Sequence, residues 1–197
     1  GKTTIANQLL SQLIQDEIIA KQIVTSKLEP DDLIRMIASS FNLAVTEHTK
    51  ASYLDAIYSY LKRLHAQHRR ALLLVDEAQN LSDEALEGLR LLSNVETDEE
   101  KLIQIVLMGQ PELHAKLDRP ALRQLKQRIA LQCRLVPLTQ EEVEPYIAFR
   151  LAAAGYKGKT LFRPDAVQQI MFYSNGIPRL VNIICDNALL CAFARSQ

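Results

Sequence analysis

The chain opens Gly1-Lys2-Thr3-Thr4 and passes straight into apolar residues at helical spacing: Ile5, Leu9, Leu10, Leu13, Ile14 and Ile18. Its first three residues match the last three positions of the phosphate-binding loop G-x-x-x-x-G-K-[ST]. In such a loop, glycine lets the backbone approach a phosphate closely and lysine supplies a cation. The N–H groups of the following helix start add further donors. The threonine hydroxyl is a ligand for Mg2+. Gly1, Lys2, Thr3 and Thr4 are therefore candidates for nucleotide contact, and Thr3 for the metal. A three-residue match also arises by chance, and the alternative is a solvated lysine at a helix start. The apolar helical pattern that follows strengthens the phosphate reading.

A second constellation is Leu72-Leu73-Leu74-Val75-Asp76-Glu77, a hydrophobic run ending in two adjacent carboxylates. A buried parallel strand aims its C-terminal end at the ligand crevice of an open α/β sheet. An acid there can hold Mg2+ beside a triphosphate, which assigns Asp76 to the metal. The next carboxylate, Glu77, is placed to orient or deprotonate a water attacking the γ-phosphate. Two neighbouring buried carboxylates need a cation or donors nearby. The alternative is a strand end that opens into a solvated loop.

Met108-Gly109-Gln110-Pro111-Glu112 ends another apolar run. Gln110 can donate and accept, so at a strand tip beside Asp76 it would reach the attacking water or the γ-phosphate. The alternative is a plain turn with Pro111 at a first helical position. Residues 119–134 hold Arg119, Arg123, Lys126, Arg128 and Arg134 and no acid. Arg128 flanks the apolar stripe Leu122, Leu125 and Ile129, where it is placed to reach a neighbouring subunit's γ-phosphate, with Arg123 in reserve. For most of this cluster a solvated basic face is the simpler account. Arg179, in Gly176-Ile177-Pro178-Arg179, lies at a helix start, where like-signed dipole and side chain repel unless an anion is present; it is a candidate sensor of nucleotide phosphate.

The elements that must position these residues alternate. Helices are expected over about 3–20, 30–41, 51–67, 82–95 and 120–129. Short runs at 22–26, 71–75, 102–108 and 129–136 read as strands, and 71–75 has the look of one buried on both faces. From Pro137 onward only helices are read, at 139–154, 164–173 and 178–194. Thr139 and Glu142 form a T-x-x-E capping box, and Gly155, Gly158 and Asn175-Gly176 act as breaks. The expected organisation is an α/β nucleotide-binding subdomain over 1–137 and a small all-helical subdomain over 138–197.

Composition narrows the class. Of 197 residues, 48% are hydrophobic and 23% charged, and 23 basic residues balance 23 acidic ones to a net charge of +0. That is the make-up of a globular chain, and it removes any whole-molecule attraction to nucleic acid or anionic membrane. Locally, residues 76–100 carry nine acids against one arginine; an exposed helix face and turn accounts for most of that, though such an edge could also dock on a basic one. No apolar run approaches the roughly 20 residues of a membrane span. Cys133, Cys185 and Cys191 fit neither a disulfide framework nor a C-x-x-C metal pair. An intracellular, reduced setting is the expectation. His65 and His68 share a helical face with no further ligand at metal spacing.

Taken together, GKTT, LLLVDEAQNLS, IQIVLMGQPEL, LRQLKQRI and GIPRLVNIICDNALL resemble the AAA+ ATPases of the ExeA/GspA and MshM group, which serve type II secretion and MSHA-type pilus biogenesis. The resemblance spans about 190 of the 197 residues. It implies an AAA+ P-loop fold with sheet order 5-1-4-3-2, a helical lid from near Pro137, and the cofactors ATP and Mg2+. It also implies a Walker B pair at Asp76 and Glu77, sensor 1 at Gln110, an arginine finger at Arg128 and sensor 2 at Arg179. Family members hydrolyse ATP as homo-oligomers; ExeA-type members continue into transmembrane and peptidoglycan-binding parts and act with a GspB-like partner. A cytoplasmic location follows, at the cytoplasmic face of the inner membrane if the whole protein is ExeA-like, with no membrane contact within these residues.

The first half of the phosphate loop and the strand before it are absent from the sequence. An empty central slot would leave unpaired backbone groups at about 1–3 kcal/mol each, so the chain is expected to be a fragment. An alternative function on the same fold is an ATP-dependent DNA-binding transposition regulator resembling TniB or TnsC, which the basic cluster 119–134 keeps open. A third is a scaffold that binds nucleotide without hydrolysing it; Lys2, Thr3, Asp76 and Glu77 argue against that.

Overall fold

A computed structural model of the chain describes residues 17–25, 29–96 and 100–195. The chain divides into two compact units that adjoin between Gln132 and Cys133.

In the first unit, β1 (Ile18–Val24), β2 (Arg70–Asp76) and β3 (Ile103–Leu107) form a parallel sheet in the order β1-β2-β3. The register pairs Ile23 with Val75, Val24 with Asp76, and Val75 with Leu107. The three strands therefore end together, and the loops that leave them start side by side. Every residue of β2 after Arg70 is buried, as the unbroken apolar run predicts for a strand covered on both faces. Ala71, Leu73 and Val75 face one side, into the main core; Leu72 and Leu74 face the other.

Helices carry that core. In α1 (Pro30–Ser40), Leu33, Ile34, Ile37 and Ala38 fall on one stripe and are buried, with Pro30 at the tolerated first position. In α2 (Lys50–Ala66), Tyr53, Ile57, Leu61 and Leu64 do the same, and Thr49 caps the start by accepting from Ser52 N at 3.2 Å. In α3 (Asp83–Leu92), Ser82 accepts from Ala85 N at 3.1 Å, and Ala85, Leu86, Leu89 and Leu92 are buried. Each fully buried leucine or isoleucine of this set stabilises the fold by about 1.5–3 kcal/mol before the entropy of ordering is counted. After β3 come α4 (Pro111–Leu117), a single 3-10 turn over Pro120–Leu122, and α5 (Arg123–Arg128). Leu113, Leu117, Leu122 and Leu125 join the same core.

The second unit is helical: α6 (Gln140–Ala153), α7 (Pro164–Ser174) and α8 (Pro178–Arg195). Val143, Ile147, Phe162, Val167, Ile170, Val181 and Cys185 form its core. The Thr139–Glu142 capping box is present, with Thr139 N donating to Glu142 Oε2 at 2.8 Å. Between α7 and α8, Asn175 and Gly176 both take positive φ, 47° and 69°. A Cβ at Gly176 would lie 2.0 Å from Leu138 O, so only glycine fits there.

Two expected elements need correction. The helix extended to Ala20 runs into β1, because Ile18, Ile19 and Ala20 pair with Arg70, Ala71 and Leu72 in the ladder. Two adjacent isoleucines satisfy strand pairing better than continuation of a helix, even though Ile18 happens to continue the helical period. Residues 3–16 of that helix, and Ser26 of the expected 22–26 strand, lie outside the described residues, and Glu17 stands in a turn. The expected strand over 129–136 is not a strand either: residues 129–139 form no regular element, and Leu131 and Val136 are 84% and 73% exposed. Strand composition needs a pairing edge, and among the described residues none pairs with this segment. The expected 120–129 helix is shorter, split into the 3-10 turn and α5.

Candidate active site at the strand ends

β2 delivers Asp76 at its last position, 3% exposed, and Glu77 one residue later. Asp76 Oδ1 accepts from Glu77 N at 2.8 Å. Glu77 adopts a left-handed conformation, φ 54° and ψ 35°, which costs a non-glycine residue about 1–3 kcal/mol and persists only where the surroundings impose it. The surroundings do so. Asn80 N donates to Glu77 O at 2.9 Å, and Ala78 N donates to Met108 O at 2.8 Å. The Thr25 hydroxyl, just past β1, lies 2.9 Å from Asp76 O and 2.8 Å from Glu77 O and is shared between them. Asn80 Nδ2 returns a bond to Thr25 O at 3.1 Å. The sharp turn at Glu77 swings its side chain out of line with the strand and across to the loop that leaves β3.

That loop brings Gln110, the N-cap position of α4. Gln110 Nε2 donates to Glu77 Oε2 at 3.3 Å, and Gln79 Nε2 donates to the same oxygen at 2.5 Å. Gln110 N donates to Gln79 Oε1 at 3.1 Å. Lys116, in the last turn of α4, donates to Gln79 O at 3.1 Å and to Leu81 O, fastening the far end of α4 to the same turn. The loops after all three strands are thus cross-linked by side chains.

The structure therefore joins Asp76, Glu77 and Gln110 in one hydrogen-bonded cluster. Arg128 lies in the same unit, exposed at the last residue of α5, and is not part of the cluster among the described residues. Arg123 is exposed at the start of α5. Arg179 is exposed at the second residue of α8, in the other unit. Gly1, Lys2, Thr3 and Thr4 lie outside the described residues. The sequence reading passed over Thr25, Gln79 and Asn80. Thr25 had a partial signal, a hydroxyl near the C-terminal end of the expected 22–26 strand; Gln79 and Asn80 stand in the DEAQNLS segment without an assigned task.

A buried carboxylate at a strand tip is a hard oxygen donor, the type Mg2+ takes, and Mg2+ needs only one or two such groups alongside substrate phosphates. Asp76 fits that cation.

Residues 1–117 match the family model described as an AAA domain. The chain belongs to that family. Over its whole length it is 46% identical to the General secretion pathway protein A of Aeromonas hydrophila, which bears out the resemblance drawn from the GKTT, DEAQNLS and GIPR segments. The chain spans 36% of the length of that relative. Among solved structures, the ADP form of the Aeropyrum pernix ORC2 protein superposes over 100% of this chain and 54% of its own, with TM-score 0.65 and 16% identity. Cdc6p from Pyrobaculum aerophilum superposes over 85% of this chain and 44% of its own, with TM-score 0.58 and 19% identity. At such identities the likeness speaks for the fold, and the fold is the α/β AAA+ type, with a parallel sheet flanked by helices.

Proposed function

We propose that the chain is an ATP-binding and ATP-hydrolysing AAA domain of a secretion- or pilus-assembly factor, working as a homo-oligomer. One observation carries this: a buried aspartate, a glutamate in a sharply turned backbone and a glutamine are hydrogen-bonded together at the ends of adjacent parallel strands. ADP and ADPNP appear with the Aeropyrum ORC2 fold neighbour, which supports a nucleotide as ligand.

In this reading Lys2 and the backbone N–H groups of Gly1 to Thr4 bind the phosphates, and Thr3 and Asp76 hold Mg2+. When bound, Mg2+ neutralises charge that builds on the phosphate oxygens. Glu77 orients the attacking water and takes its proton as that water's oxygen bonds to the γ-phosphorus and the bond to ADP breaks. Gln110 donates to the γ-phosphate or the water. Arg128 reaches the γ-phosphate held by a neighbouring subunit, and Arg179 senses phosphate from the helical unit acting as a lid. The secretion setting, a GspB-like partner and a place at the cytoplasmic face of the inner membrane come from the relative's name and the family resemblance.

The test is Glu77→Gln in the intact protein. Turnover is expected to fall about 100-fold or more, the scale of losing a general base, while affinity for a fluorescent ATP analogue holds within about twofold. Wild-type turnover in this variant removes Glu77 from the reaction and the hydrolytic reading with it.

A further inference from the structure

Gln79 has no task in the scheme above, yet its two amide ends are both committed within the site. Its Nε2 donates to Glu77 Oε2 at 2.5 Å, and its Oε1 accepts from Gln110 N at 3.1 Å. A glutamine amide carries a donor NH2 and an acceptor C=O side by side, so one side chain can donate to a carboxylate and accept from a backbone N–H at the same time. Its backbone carbonyl is taken by Lys116, so the residue is held at both main chain and side chain. The fold also leaves room for it. A Cβ at Gly109 would lie 2.9 Å from Gln79 Oε1 and 2.7 Å from Leu113 Cδ2, so a larger residue at 109 would push into the space the amide occupies.

We infer that Gln79 is a positioning residue: its side chain holds the Glu77 carboxylate in place and ties it to the backbone of the Gln110 loop. The consequence is mechanical. Glu77 and Gln110 leave different strands, and the only side chain bonded to both among the described residues is that of Gln79. A shift of the β3 loop on contact with a γ-phosphate is passed to the carboxylate that handles the water. The Gln110 side chain donates to the same oxygen of Glu77, so when that side-chain amide alone turns to phosphate the Gln79 bond still holds the carboxylate. This inference rests on the hydrolytic role of Glu77 proposed above.

The experiment compares Gln79→Met, which keeps length and volume and loses both bonds, with Gln79→Glu, which keeps the acceptor and replaces the donor with a carboxylate facing Glu77. Both are made in the intact protein, alone and combined with Glu77→Gln. Loss of a hydrogen bond to a charged group predicts a fall in kcat of about 10- to 100-fold for Gln79→Met. KM for ATP, affinity for a fluorescent ATP analogue and the thermal midpoint should stay close to wild type. Gln79→Glu should fall further than Gln79→Met, because repulsion is added to the lost bond. On the Glu77→Gln background, Gln79→Met should cost almost nothing more, since the group it positions is already neutral and inactive. Wild-type kcat in Gln79→Met overturns the inference, as does a loss that multiplies in full on the Glu77→Gln background, or one matched by an equal loss of nucleotide affinity. If Glu77→Gln itself turns over normally, it is the proposed function that fails; if Glu77→Gln is dead and Gln79→Met is not, the role of Gln79 alone falls.

Discussion

The strand-end cluster and the helical unit are built by different means. At the strand ends a parallel ladder sets where each loop begins, and hydrogen bonds from Thr25, Gln79, Asn80 and Lys116 then close the loops on one another. The helical unit has a small apolar core, and its helices keep large apolar side chains outside it: Phe149 on α6, Phe172 and Tyr173 on α7, Leu190 and Phe193 on α8 are all exposed. Those exposed side chains add nothing to the burial that holds the helices together. The lesson is that the chemistry assigned to Asp76, Glu77 and Gln110 has a geometric basis in the described residues. The task assigned to Arg179 rests on its helix-start position and on resemblance.

The largest effect is expected at Arg128, which lies in the same unit as the cluster but outside it. In the proposed homo-oligomer Arg128→Ala is expected to lower turnover on the order of a thousandfold, the scale of an arginine finger. Mixing it with Lys2→Ala subunits should restore part of the activity, because each variant supplies what the other lacks. An absence of complementation counts against action between subunits. In the second region Gly176→Ala should act on stability rather than chemistry. A methyl 2.0 Å from Leu138 O at φ 69° is expected to cost about 1–3 kcal/mol, read as a lowered urea midpoint, with ATP-analogue affinity little changed. An unchanged midpoint would show that the turn between α7 and α8 is not built as described.

The smallest effect concerns Cys185. Burial, followed by the neighbouring Asp186 charge, pushes its thiol from 9.0 up to about 11. A raised folded value means that the unfolded chain ionises first, so this contribution to stability is whole below pH 9.0 and is lost as pH rises through about 11. At neutral pH, exposed Cys133 and Cys191 should react with an alkylating reagent in the folded protein, and Cys185 only on unfolding. Equal reactivity of all three would mean that the core of the helical unit is open.

The sequence made some of this legible and hid the rest for physical reasons. The run Ala71–Val75 is unambiguous, because five consecutive apolar residues before two acids have little else to be than a doubly covered strand. The caps at Thr49, Ser82 and Thr139 follow from side-chain chemistry local to a few residues. Ile18–Ala20 reads as helix in the sequence because Ile18 keeps the helical period while the strand preference of two isoleucines is weaker evidence in a short window. Residues 129–136 have strand composition, but a strand is a relation between two segments, and composition cannot supply the partner. The roles of Thr25 and Gln79 depend on the left-handed turn at Glu77, which redirects a carboxylate toward another loop; spacing along the chain carries no trace of that turn.

The proposed function puts Mg2+-ATP between the acidic end of β2 and the opening GKTT segment. Its most direct test is the anomalous scattering of Mn2+ in crystals of the intact protein grown with a non-hydrolysable ATP analogue. The expected result is a manganese peak beside the Asp76 carboxylate, with the triphosphate bridging to the Lys2 amine and Glu77 facing the γ-phosphate. A nucleotide and metal bound elsewhere, with Asp76 and Lys2 on separate faces of the molecule, would contradict it.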